Sequence, residues 1–128
     1  MNAHHTDPLA LSTALTAKTK QFCLGLEHGA ADILELVTPT TAELLHWWFG
    51  QDMVDARGGL NFHAGQKQAS LNAIVAHEVL GAAHLKDLYQ QVAPDALLVG
   101  TRLAEVSAPK HAHPKYCFKM ATGTGKTW

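Results

Sequence analysis

Apolar residues recur at near-helical spacing through most of the chain. Leu11, Leu15, Phe22 and Leu26, with Lys18 and Lys20 between them, form a stripe that predicts an amphipathic helix ending near Gly25 or Gly29. Asp7 and Pro8 supply its start, the aspartate as N-cap and the proline in the first turn. A short apolar piece, Ile33 to Val37, leads into Thr38-Pro39. In the next predicted helix Thr40 and Glu43 stand at capping-box spacing, Leu44, Leu45, Trp48 and Phe49 make the stripe, and Gly50 takes the place of a C-terminal glycine. Met53 to Leu60, which contains Arg57-Gly58-Gly59, reads as a loop or turn. Phe62 to Ala69 then opens a helix that turns Leu71, Ile74, Val75 and Val79 inward, until Gly81 interrupts it. A further helix carries Leu85, Leu88, Tyr89 and Val92 at i, i+3, i+4 and i+7 and is stopped by Pro94. Ala96 to Val99 fits a strand or a helix end equally, since a short apolar run does not discriminate. Ser107 to Pro114 is a two-proline loop, and Lys115-Tyr116-Cys117-Phe118-Lys119-Met120 alternates as a strand does. No internal repeat is present.

Composition narrows the class. A chain of 128 residues with 47% hydrophobic content can build a packed core of single-domain size. The net charge of -1 is no footprint for gripping a phosphate backbone, so any DNA-binding surface is expected elsewhere in a complete protein. Cys23 and Cys117 lack C-x-x-C spacing, which disfavours a disulfide framework and favours a reducing setting. The start has no basic n-region and no apolar run reaches membrane-spanning length. The expectation is a cytoplasmic protein with no membrane partner.

The most specific chemistry lies in Ala121-Thr122-Gly123-Thr124-Gly125-Lys126-Thr127. Gly123 and Gly125 have no Cβ, so the backbone there can turn its N–H groups onto an anion. Thr122 and Thr124 complete the cradle, Lys126 places an ammonium on the β- and γ-phosphates, and the Thr127 hydroxyl is the expected ligand of a nucleotide-bound Mg²⁺. The preceding strand-like run supplies the context this phosphate loop requires. Met120 stands where the strict G-x-x-x-x-G-K-[ST] pattern has glycine. The A-x-x-G-x-G-K-T form is that of superfamily 2 helicases and translocases.

Two separated pieces, Asn61-Phe62-His63-Ala64-Gly65-Gln66-Lys67-Gln68-Ala69 and Phe118 to Trp128, together resemble the N-terminal part of the restriction (Res) subunit of type III restriction-modification systems and related DEAD/DEAH-type helicases. The likeness runs from about Asn61 to Trp128, and 1–59 reads as a helical N-terminal extension. It implies a mainly α N-terminal region leading into the first strand and P-loop of an incomplete RecA-like α/β motor domain, with residues 60–128 as the start of the ATP-binding domain. It also implies ATP and Mg²⁺ as cofactors, adenine recognition by Gln66, translocation on DNA, a modification (methyltransferase) subunit as partner and a nuclease domain further along. A glutamine at a helix start is also ordinary surface chemistry. Only Trp128 follows Thr127, so no metal-holding acid, arginine finger or second motor lobe is encoded and no hydrolysis is expected of these residues alone. A truncated reading frame, a gene remnant or an excised N-terminal piece would account for this.

Other constellations are weaker. His111, His113 and Cys117 lack the fourth ligand of a structural zinc site. His77, Glu78 and His84 do not reproduce H-E-x-x-H, and no G-x-S-x-G occurs. Trp47 and Trp48 could stack on bases, but two adjacent aromatics on an apolar helix are more commonly core or interdomain contact. A different class remains beside the motor: a helical protein-interaction module whose exposed apolar surface, including these tryptophans, docks on a partner.

Overall fold

The computed structural model describes residues 9–98. They are mainly helical, with no strand among them. Helix α1 spans Ala10–Cys23 and buries Leu15 and Thr19, with Leu11 and Phe22 packed at the core margin. The helix ends before Leu26, because Gly25 takes a left-handed φ of 82° and starts a short 3-10 turn, Leu26–His28. Leu26 still reaches the core, 2% exposed, by way of that turn. The Asp7-Pro8 start lies outside the described residues.

Helix α2, Ile33–Leu36, is a single turn that inserts Ile33. Helix α3 spans Pro39–Phe49, and its N-cap, Thr38, lies two residues before the expected Thr40 cap. The reason is local. A residue preceding proline is pushed out of the α region, and Thr38 accordingly sits at φ -63°, ψ 155°. Its Oγ1 accepts the Thr41 N–H at 3.2 Å, while Pro39 fits the first helical position, where an N–H is not needed. The Thr38 N–H in turn donates to Glu78 Oε1 at 3.3 Å, placing a carboxylate at the positive end of α3.

The first half of the expected loop or turn from Met53 to Leu60 is helix: α4 spans Gln51–Ala56. Val54, 5% exposed, anchors it, and Gln51 Nε2 donates to Asp55 Oδ1 across one turn at 2.8 Å. The turn itself comes later, at Gly58 and Gly59, both with positive φ. Arg57 ties it back to α3 by donating to the Trp47 carbonyl at 2.5 Å and the Trp48 carbonyl at 2.9 Å. These are last-turn carbonyls that α3 itself leaves open.

Helix α5, Ala64–Ile74, runs on into a π-helical segment, Val75–Val79. Leu71 and Val75 are buried and Ile74 and Val79 flank them, so the expected inward face is the observed one. Gly81, at φ 62°, breaks the run as anticipated. Helix α6, Leu85–Val92, buries Leu88, and α7, Pro94–Leu98, resolves the ambiguous Ala96 region as helix. One cluster joins Leu15, Leu26, Ile33, Leu45 and Phe49 with Leu71, Val75 and Leu88, so the described core crosses residue 59 without interruption. Helix α1 lies along α5 and α6, and α3 rests on α4 and the 3-10 turn. The predicted strand at 115–120 and the RecA-like portion lie outside the described residues.

Candidate functional site

Of the residues expected to handle nucleotide, Gln66 is described, whereas Thr122, Gly123, Thr124, Gly125, Lys126 and Thr127 lie outside the described residues. Gln66 occupies the third position of α5, whose N-cap is His63 at φ -64°, ψ 152°. The His63 N–H donates to Gln66 Oε1 at 2.8 Å. That is the glutamine half of a capping box, and it fixes the side-chain amide against the helix start.

The residues on either side of this cap converge on one ring. Phe62 precedes the N-cap, and its backbone N–H is held by Asn61 Oδ1 at 2.8 Å. Its ring meets Phe49, from the end of α3, with centroids 5.3 Å apart at 63°. Lys67, four positions after the cap, brings its ammonium to 5.3 Å from the centroid of the same Phe49 ring. Trp48 closes the group edge-on, 5.9 Å from both phenylalanines. T-shaped pairs of this kind add on the order of 1 kcal/mol beyond the area they bury.

The electrostatics are modest. Lys67 Nζ lies 3.5 Å from Glu27 Oε1, a partly exposed pair of the sort that contributes little by itself. The Glu27 carboxyl is held below its ordinary value, first by its own backbone N–H and then by Lys67. Cys23 stands close enough to feel both charges, but burial dominates and pushes its thiol up to about 11. Burial thus favours the protonated thiol, the less reactive form.

A second polar region is an open recess of about 410 Å³ lined by Glu27, His28, Gly29, His46, Gln51 and Asp52. There His46 Nε2 contacts the Asp52 carboxylate at 2.9 and 3.1 Å, and this contact holds Asp52 below the usual carboxylate range. Among the described residues no three His, Cys, Asp or Glu side chains are grouped to hold a metal ion. The His111, His113 and Cys117 set lies outside them.

The two tryptophans separate. Trp48 is half-buried in the aromatic group, whereas Trp47 is 53% exposed, with the Arg57 guanidinium 5.9 Å from its ring centroid. The sequence pattern does not single out Phe49, Phe62 and Lys67 as a group. Their signal was available: an aromatic just before the N-cap and a long side chain four residues after it have hydrophobic-staple spacing. The third member, Phe49, comes from a different helix, and no local pattern announces it. Among the described residues no helix is long and apolar enough to cross a membrane. No family model, curated protein or solved structure matches the chain.

Proposed function

We propose that the chain is the N-terminal portion of an ATP-dependent DNA helicase or translocase subunit of a restriction-modification system, which binds the phosphates of ATP through residues 122–127. The observation that carries this reading is the run Ala121-Thr-Gly-Thr-Gly-Lys-Thr127 directly after an alternating segment. The donor set suits the ligand: glycine N–H groups and an ammonium for phosphate oxygens, a threonine hydroxyl for Mg²⁺. Lys126 neutralises charge on the phosphates, Thr127 ligates the metal, and Gln66 reads the adenine from the first turn of α5. The fixed Gln66 amide supports that last role, because a polar group already held in place loses little entropy on binding. DNA and a methyltransferase subunit are partners of the complete protein.

Titration of the 128-residue chain with MgATP, followed by NMR, tests this directly. Binding is expected to be weak and to vanish in Lys126→Ala, with hydrolysis at background. Equal shifts in wild type and Lys126→Ala would overturn the nucleotide reading. A Mg²⁺-dependent ATPase rate that disappears in Lys126→Ala would overturn the inactivity.

One observation favours a second reading, a helical protein-interaction module. Leu44, Trp47 and Leu60 are 37%, 53% and 56% exposed, and Arg57 links Trp47 to the Leu60 carbonyl. Sedimentation decides its standing, since a compact monomer at high concentration counts against an unsatisfied partner surface.

A further inference from the structure

Residues three and four apart share one face of a helix, so Glu43, Leu44 and Trp47 lie on one stripe of α3. All three are exposed. At the far end of the stripe stands Arg57, which donates through Nη1 to the Trp47 carbonyl, through Nη2 to the Trp48 carbonyl and through Nε to the Leu60 carbonyl. Its guanidinium also lies 5.9 Å from the centroid of the Trp47 ring, and so joins the exposed Leu60 to the same patch. These ties restrict the indole and the helix end before anything covers them, which lowers the entropy lost on association. Tryptophan and arginine are also the side chains that most commonly anchor protein interfaces.

The rim carries charge of both signs, and neither is spent within the described chain. The Glu43 carboxylate makes no ion pair or hydrogen bond among the described residues. Arg57 gives its N–H groups to carbonyl oxygens and pairs with no carboxylate among those residues. Glu43 lies one turn, roughly 6 Å, from Trp47 toward the start of α3, and Arg57 lies at the helix end. A surface with an anion at one end, an indole between and a cation at the other is its own complement when turned about a two-fold axis. The net charge of -1 sets up no repulsion against such an approach.

We infer that this face of α3 binds a second copy of the chain. Two α3 helices lie antiparallel about a two-fold axis close to Trp47, with Glu43 of each copy against Arg57 of the other and Leu44 and Leu60 covered at the seam. This dimer rests on the interaction-module reading given above and gives that reading its partner. Three apolar side chains fall short of the roughly 800 Å² per partner that a standard interface buries, so the dimer is weak and reversible.

Sedimentation equilibrium of the 128-residue chain over a concentration series tests this, with wild type, Glu43→Lys and Trp47→Ala compared and circular dichroism checking that each folds. Wild type is expected to pass from monomer to dimer and no further, and to dissociate more readily as salt is raised. Glu43→Lys sets like charges against each other twice per dimer and should weaken association about tenfold. Trp47→Ala removes the anchor and should weaken it about thirtyfold. Should Trp47→Ala fail to fold, Glu43→Lys carries the test, since its carboxylate has no hydrogen bond or ion pair to lose among the described residues. A dimer of wild-type strength in Glu43→Lys, or in a folded Trp47→Ala, would put the interface elsewhere and overturn the inference, as would species that grow beyond the dimer. A monomer at every concentration would overturn it too, and binding of anilinonaphthalene sulfonate then separates the two readings. Dye uptake by wild type that is lost in Trp47→Ala would leave the interaction module standing with another partner, whereas no uptake would overturn that reading as well.

Discussion

Gly50 is a residue whose type is explained by space and not by backbone angle. Its place after α3 suggests a left-handed cap, yet its φ of -62° is open to any residue. What forbids a side chain is the neighbourhood: an added Cβ would lie 2.5 Å from His46 Cδ2 and 2.6 Å from the His46 carbonyl oxygen. The imidazole lies over Gly50 on its way to Asp52, and the carbonyl accepts the Gly50 N–H at 2.8 Å. Gly50→Ala should therefore cost roughly 1–3 kcal/mol, the usual range for overpacking, and should loosen the His46–Asp52 contact. Urea midpoints measure this, and an unchanged midpoint would show that the α3–α4 junction has slack. Two titrating residues give signed expectations. Cys23 has a folded pKa raised to about 11 from 9.0, so its contribution to stability is complete below pH 9 and is lost as pH rises through 11. Glu27 runs the other way: its folded pKa is depressed, so its contribution is present above the unfolded value of 4.5 and is lost as pH falls through the lower folded value. Denaturation of Cys23→Ala across the alkaline window, and of Glu27→Gln across the acid one, should each show a flatter pH dependence than the wild type. A Cys23→Ala curve that still falls between pH 9 and 11 as steeply as wild type would assign that loss to other groups.

At the scale of elements, termini decide more than interiors do. Thr38 caps α3 through its hydroxyl, and Thr38→Ala should destabilise the chain by about 1 kcal/mol, whereas Thr40→Ala, at the position the sequence pattern favours, should have little effect. Chemical denaturation of the two variants side by side separates them, and equal losses would place the cap wrongly. The difference illustrates what was legible. Apolar periodicity marked α1, α3, α5 and α6, because Leu15, Leu45, Leu71 and Leu88 recur at the spacing that burial on one helix face demands. It did not mark α4, whose six residues bury only Val54 and whose following Gly58-Gly59 pair dominates any local reading. That helix is held by tertiary ties, chief among them Arg57 reaching the α3 carbonyls, and such ties leave no trace in spacing. The place of Gln66 in the first turn of a helix was legible. Its support was half legible: Phe62 and Lys67 are local to the helix start, but the distance from Phe49 to Lys67 along the chain hides the ring they share.

For the whole molecule, the decisive fact is that residues before and after position 59 share a core. Val75 and Ile33 are fully buried, Leu45 is 0% exposed, and all three belong to the cluster that also holds Leu15 and Leu88. Polar ties cross at the same place: Asn72, 7% exposed, donates to Thr16 Oγ1 at 3.1 Å and accepts from Gln68 at 2.9 Å, stitching α5 to α1. A buried amide that is satisfied in this way specifies one packing of the two helices, since any slip would leave it unpaired. If the N-terminal helices were an appendage, they would melt independently of α5 and α6. A shared core instead requires that removing apolar volume on one side weaken the other. Leu45→Ala should cost about 2–5 kcal/mol, the range for truncating a buried leucine. The loss should appear equally in native-state hydrogen exchange of α1, α3, α5 and α6, because those amides exchange through a common opening. Exchange that rises in α3 alone, with α5 and α6 protected as in wild type, would show two folding units meeting at residue 59.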